Sequence, residues 1–218
     1  MNRVDAERRQ LVILFADMVG FSTFSQKAGE EASFALMQSL AELMTGPVRS
    51  QGGGVQSFTG DGVLAVFGAP IAFEDAPLRA CRAALAILRG LADSGDEFEA
   101  RHGVRPQVRI GVSTGPAVFG EVKIGAEANA TVLGDAVNLA ARLQSLAEPG
   151  TAFISAATHR LVDGLVRATF VGEHQIKGRT GAESVYRLDS IRAHASRFDG
   201  AARRGLTAYV GRDRELET

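Results

Sequence analysis

Six apolar residues in a row, Leu11-Val12-Ile13-Leu14-Phe15-Ala16, run into an acid, Asp17. An unbroken apolar run rich in branched side chains has no polar face to offer solvent. It reads as a central β-strand buried on both sides. Such a strand needs neighbours on both edges and cover on both faces, so the rest of the chain must supply strands and helices. Residues 30–48 predict a helix, with Phe34, Met37, Leu40, Ala41 and Met44 on one apolar face. Gly52-Gly53-Gly54 stops it. Residues 55–58 and 63–67 predict two short strands joined through Thr59-Gly60-Asp61-Gly62 as a hairpin. Glu74, Asp75 and Pro77 open a second helix, because acids and proline suit a first turn. Its predicted buried stripe is Leu78, Cys81, Leu85 and Leu88.

Further along, 108–112 and 117–124 predict strands either side of a turn at Gly115-Pro116. Asp135 predicts the N-cap of a helix running to Leu146, closed by Glu148-Pro149-Gly150. Residues 151–154 predict a strand, 156–162 a short helix, and 170–176 with 184–188 a last strand pair around Lys177-Gly178-Arg179. A βα-ββ-αβ order with further elements behind it predicts an α+β or α/β sandwich. Periodicity fades after Leu188, so residues 189–218 read as a linker.

Composition removes several function classes. Lys and Arg number 24 against 25 Asp and Glu, which leaves no basic excess for a general nucleic-acid binder. A single cysteine, Cys81, excludes a disulfide framework and a multi-cysteine zinc site. In its helical stripe it reads as a small core residue. His102, His159, His174 and His194 show no metal-ligand spacing. No apolar run approaches the ~18 residues of a membrane span. The N-terminus is charged rather than leader-like. The expectation is a soluble, cytoplasmic protein.

Two pairs of residues could carry chemistry. Asp17 ends the buried strand and Asp61 sits in the hairpin turn. If the hairpin lies beside that strand, the carboxylates meet at one sheet edge, where they repel unless a cation sits between them. Hard oxygens in pairs suit Mg²⁺ or Mn²⁺ with a phosphate ligand. Equally, each Asp could serve only its turn. The segment Met18-Val19-Gly20-Phe21-Ser22 that follows Asp17 reads as a glycine turn whose backbone N–H groups can hold a phosphate. Asn138 and Arg142, spaced i and i+4, share one helix face. An amide beside a guanidinium fork suits a sugar oxygen and a phosphate. On spacing alone, the pair also fits a solvated helix surface.

Four runs together resemble the catalytic domain of class III adenylate/guanylate cyclases. They are Leu14-Phe15-Ala16-Asp17-Met18-Val19-Gly20-Phe21-Ser22, Phe58-Thr59-Gly60-Asp61-Gly62, Arg109-Ile110-Gly111-Val112-Ser113-Thr114-Gly115 and Gly134-Asp135-Ala136-Val137-Asn138-Leu139-Ala140-Ala141-Arg142. They stand in family order across residues 9–188. The resemblance implies an α+β, ferredoxin-like βαββαβ core with extra C-terminal strands and helices. It implies a head-to-tail homodimer with active sites at the interface. Asp17 and Asp61, with the carbonyl of Met18, would bind two Mg²⁺ or Mn²⁺. Met18 to Ser22 would lie against the nucleotide. The other chain's Asn138 would orient the ribose, its Arg142 would meet charge on the α-phosphate, and its Lys177 or Arg179 would hold the terminal phosphates. The implied reaction turns ATP into 3′,5′-cyclic AMP and pyrophosphate. No nucleic-acid or membrane partner is implied.

Two positions depart from the family's adenine-reading pattern. Ser57 stands where many adenylate cyclases carry Lys, and Thr131 where they carry Asp. Two short hydroxyls read a purine less decisively than a charged pair. GTP is therefore the alternative substrate, and a weakly active nucleotide-binding dimerisation domain is the alternative function. A diguanylate cyclase is disfavoured by the lack of its Gly-Gly-Asp/Glu-Glu-Phe signature. Gln56 would face the opposite side of its strand from Ser57 unless the register slips. The cyclase domain is placed at residues 1–188. Residues 208–218, ending Val210-Gly211-Arg212-Asp213-Arg214-Glu215-Leu216-Glu217-Thr218, resemble the approach to the phosphate loop of a signalling-type P-loop ATPase, which implies a downstream ATPase-type domain.

Overall fold

A computed structural model of the chain describes residues 6–192, apart from 125, 126, 177, 179 and 180. The apolar run lies inside β1 (Ala6–Met18), near the middle of an eight-stranded sheet. A helical stretch follows, α1 (Phe21–Ala28) and α2 (Glu30–Ser50). Next come the hairpin β2 (Gly54–Thr59) and β3 (Gly62–Phe67), then helices α3 (Ala76–Asp93) and α4 (Gly95–His102). The long strand β4 (Val108–Ile124) folds back into β5 (Glu127–Leu133) and leads to α5 (Asp135–Leu146). The chain continues through β6 (Thr151–Ser155), α6 (Ala156–Val162), β7 (Val166–Gln175) and β8 (Ala182–Ile191).

The sheet order is β2-β3-β1-β4-β6-β8-β7, with β5 paired to β4. Its first four strands and the intervening helices make the βαββαβ, ferredoxin-like core that the resemblance implies. The last strand pair adds the C-terminal extension, and β8 runs through Ile191.

The two faces of β1 explain its unbroken apolar run. Val12, Leu14, Ala16 and Met18 pack with α2 and α3 in one core. Leu11 and Ile13 pack with Ala136 and Ala140 of α5 in a second. Helix α5 reaches the sheet because Gly111 has no side chain. A Cβ there would lie 2.1 Å from the Ala140 carbonyl oxygen and 2.4 Å from the Gln144 nitrogen. The glycine of the Arg109–Gly115 run is thus a seat for α5.

Several sequence expectations shift in the structure. In α2 the buried row is Ser33, Leu36, Leu40, Met44 and Val48, while Phe34 stays 57% exposed. Apolar residues occupy two adjacent stripes of that helix, and the core takes the one through Leu36. In α3 the fully buried residues are mostly small, Ala80, Cys81, Ala84 and Ile87. The larger Leu78, Leu85 and Leu88 pack at the margin. Cys81 is fully buried, and burial pushes its thiol up to about 12.

The predicted turn at Gly115-Pro116 is instead part of one strand, because β1 pairs with β4 continuously from Met18↔Val108 to Ala6↔Gly120. The other edge of β4 is covered by β6 at 109–112 and by β5 from 118 onward. Pro116 falls in the gap between them, where no neighbour asks for an N–H. Asp135 is not the N-cap of α5; Gly134 is, with no side-chain cap. Asp135 begins the helix, where its charge still favours the positive end. The elements α1, α4 and β5 had no clear period in the sequence.

Candidate active site

Asp17 and Asp61 are brought together by β-pairing. Asp17 stands opposite Gly62 across β1 and β3, one residue past Asp61. Backbone bonds lock the junction. The Met18 N–H donates to the Asp61 carbonyl at 2.9 Å, and the Val19 N–H donates to the Gln107 carbonyl at 2.8 Å. The ends of β1, β3 and β4 are therefore tied at one point. Gly62 leaves the space that the Asp17 carboxylate fills, since a Cβ at 62 would sit 2.7 Å from Asp17 Oδ1.

The corner is electrostatically uneasy. Burial raises the Asp17 carboxyl, and the Asp61 charge raises it further. The Arg109 guanidinium pulls it back, leaving it at about 6 against an ordinary 3.8. Arg109 faces Asp17 directly across β1 and β4, and its Nε is buried without a hydrogen-bond partner among the described residues. In the sequence Arg109 stands out only as part of the Arg109–Gly115 run. Its place opposite Asp17 depends on a pairing register that sequence does not print.

Two close carboxylates, one of them raised by the charge of the other, are a fitting cradle for a hard divalent cation. No group of three or more His, Cys, Asp or Glu able to hold a metal exists among the described residues. A Mg²⁺ or Mn²⁺ here would take two carboxylates and complete its shell from backbone carbonyl, water and substrate oxygens, which is the usual habit of Mg²⁺.

The segment after Asp17 offers fewer free donors than its glycine turn implied. The N–H groups of Met18 and Val19 are spent on the junction. Gly20 takes the left-handed conformation, φ +76, and caps α1. The N–H groups of Phe21 and Ser22 belong to the first turn of that helix, where no intrahelical acceptor exists.

Asn138 and Arg142 lie elsewhere. Both project from the exposed face of α5 into an open cleft of about 600 Å³, with Asp135, Ser145 and Gly178. The opposite face of α5 is anchored by Ala136 and Ala140 against the sheet and by Leu139 and Leu143 against Phe153, Ile176 and Val185. Lys177 and Arg179 lie outside the described residues, but Gly178 between them borders this cleft. The cleft does not include Asp17 or Asp61. One chain thus carries two separate groups of polar residues.

Ser57 stands opposite Leu64 in the hairpin, and the register shifts between Val55 and Ser57. Thr131 stands in β5 opposite Gly120. The two strands that carry them approach each other, although β3, β1 and β4 separate them in the sheet.

Comparisons with known proteins place this sheet, with its paired carboxylates, in a family. The chain belongs to the adenylate and guanylate cyclase catalytic domain family, which it matches over residues 4–190. It is 30% identical over 188 residues to adenylate cyclase 1 of Rhizobium meliloti, covering 85% of this chain and 28% of that protein. Among solved structures it is similar to the guanylyl cyclase Cya2, with TM-score 0.83 and 26% identity over 86% of this chain and 95% of that one. It is similar to the adenylyl cyclase CyaB from P. aeruginosa, with TM-score 0.82 and 25% identity over 87% and 98%. The chain therefore spans well under a third of the length of adenylate cyclase 1. No helix among the described residues is long and apolar enough to cross a membrane.

Proposed function

We propose that this chain is an adenylate cyclase catalytic domain that converts ATP to 3′,5′-cyclic AMP and pyrophosphate as a head-to-tail homodimer. The observation that carries the reading is the separation of the Asp17/Asp61 corner from the Asn138/Arg142 cleft within one chain. Neither group alone holds both a cation and a sugar-phosphate. Two copies related by a two-fold axis would join the corner of one to the cleft of the other, twice.

In that arrangement Asp17, Asp61 and the Met18 carbonyl would hold two Mg²⁺ or Mn²⁺. When bound, such ions neutralise the triphosphate and lower the pKa of the attacking hydroxyl. Arg109 offers an unspent donor to an anion beside them. From the other copy, the Asn138 amide orients the ribose so that its 3′-oxygen lines up with the α-phosphorus. The Arg142 fork meets the charge that grows on the α-phosphate. Lys177 and Arg179 grip the terminal phosphates. The 3′-oxygen–phosphorus bond forms, the bond to the β-phosphate breaks, and the hydroxyl proton leaves to solvent.

Incubation with ATP or GTP and Mn²⁺ tests the proposal. Cyclic AMP and pyrophosphate are expected in equal amounts, and no cyclic product from either nucleotide would overturn it. GTP turnover is the second reading, favoured by the uncharged Ser57 and Thr131 and by the resemblance to a guanylyl as well as an adenylyl cyclase. We also propose that the residues beyond β8, of which 193–218 lie outside the described part, lead into an ATPase-type domain. A reading frame without a Gly-Lys-Ser/Thr loop beyond Thr218 would end that idea.

A further inference from the structure

The register slip in the hairpin changes which side chain can meet the base. Val55 pairs with Ala65 and Ser57 pairs with Leu64, so Gln56 is the extra residue of a bulge. In a regular strand Gln56 and Ser57 would face opposite sides. A bulge sets two residues against one and re-aims a side chain.

Three contacts locate it. Ser57 stands opposite Leu64, which packs on the core beneath α5. Gly54 stands opposite Val66 of the same core. The Gln56 Nε2 lies 3.8 Å from where a Cβ on Gly54 would be. Gln56 and Ser57 therefore share the face on which α5 sits. The Gln56 Oε1 is buried and has no hydrogen-bond partner among the described residues. An orphaned buried acceptor is costly unless something completes it.

We infer that Gln56, rather than the Ser57 hydroxyl alone, is the specificity-determining residue toward the purine base, an inference that rests on the cyclase reading above. A carboxamide carries an acceptor and a pair of donors. Adenine presents the N6 amino donor beside the N1 acceptor, and guanine presents the O6 acceptor beside the N1–H donor. The carboxamide complements adenine one way round and guanine after a half-turn of its terminal bond. Gln56 thus holds either purine and separates them weakly. A carboxylate at this position would accept from guanine N1–H and N2–H₂ and oppose the lone pair of adenine N1.

The test uses 3′-deoxy-ATP and 3′-deoxy-GTP, which lack the attacking hydroxyl, so binding reads the base without turnover. Calorimetry on the full chain with Mn²⁺ should give wild-type Kd values within about tenfold of each other. Gln56→Glu should move their ratio toward guanine by about tenfold or more, and Gln56→Leu should weaken both by about fivefold or more. Ser57→Ala should change the ratio by less than about threefold. A Gln56→Glu chain that melts like wild type and keeps the wild-type ratio would overturn the inference. So would a wild type that binds neither analogue. If Gln56→Glu fails to fold, Gln56→Leu decides: unchanged binding of both analogues also overturns it. Wild-type ATP turnover is measured alongside. Its absence would remove the proposed reaction, while the binding ratios would still decide the role of Gln56.

Discussion

The Asp17/Asp61 corner and the Asn138/Arg142 cleft carry their polar groups in opposite ways. The corner is built from three strand ends tied by backbone bonds, half-buried, with like charges pressed together. The cleft is built from one helix face that is open to solvent. The sheet fixes the corner's geometry and stores repulsion that a bound cation would relieve. The helix presents the cleft apart from the carboxylate pair. In the proposed dimer the labour would be divided, with one chain supplying the electrostatic tension and the other the groups that position substrate.

The sharpest way to break the corner is to remove a carboxylate. Asp17→Ala or Asp61→Ala should lower turnover about a hundredfold or more, at least roughly 2.7 kcal/mol of barrier. Circular dichroism should remain that of the folded chain. Retention of more than about a tenth of wild-type rate at saturating Mn²⁺ would contradict the assignment.

The cleft can be broken through its seat. Gly111→Ala should push α5 off β4 and destabilise the chain by about 2–3 kcal/mol in urea unfolding, because its Cβ would meet backbone that cannot yield. A loss under about 0.5 kcal/mol, the range of ordinary surface changes, would mean that α5 is not seated there.

Mixing sharpens the comparison. Asp61→Ala chains and Arg142→Ala chains should each be inactive alone. Combined in equal amounts they should recover about a quarter of wild-type activity, since half the random dimers would hold one intact site of two. Proven mixed dimers without rescue would argue that each chain uses its own corner and cleft.

The smallest effect concerns stability without metal. The Asp17 carboxyl is raised in the folded chain to about 6. The unfolded chain therefore ionises first, and stability falls as pH rises from about 4 through 6. Asp17→Asn should remove that fall. In chelator above pH 6 it should be more stable than wild type, by on the order of 1 kcal/mol after screening at a half-exposed site. Thermal melts should converge below about pH 4. A variant no more stable than wild type at pH 7.5 would show that the corner is not under tension.

How much of this was written in the sequence follows from range. The run 11–16 announced a strand covered on both faces, and both covers are present. Asp17 and Asp61 could be suspected of meeting, because a hairpin beside its parent strand is a short-range expectation. Arg109 and Gln56 were less legible. Arg109 reaches Asp17 through a strand pairing that spans most of the core, and Gln56 changes face because of a single-residue bulge. Neither leaves a periodic trace. The turn read into Gly115-Pro116 failed for a related reason: whether proline breaks a strand depends on whether that edge has a neighbour. Helix α2 shows the limit of amphipathic reading, since two adjacent apolar stripes compete and packing chooses between them.

The burial of Cys81 has a practical corollary. The chain has one sulfhydryl, it lies on the buried face of α3, and its proton is held far above neutrality. An alkylating reagent attacks the thiolate form, so in the native fold this sulfur is chemically silent. Any opening that lifts α3 from the sheet exposes it and restores ordinary reactivity. The molecule thus carries its own clock for such openings, readable as the rate of label uptake by mass spectrometry, with no engineered probe. Divalent ion and nucleotide, which would tie the sheet more firmly, should slow that clock.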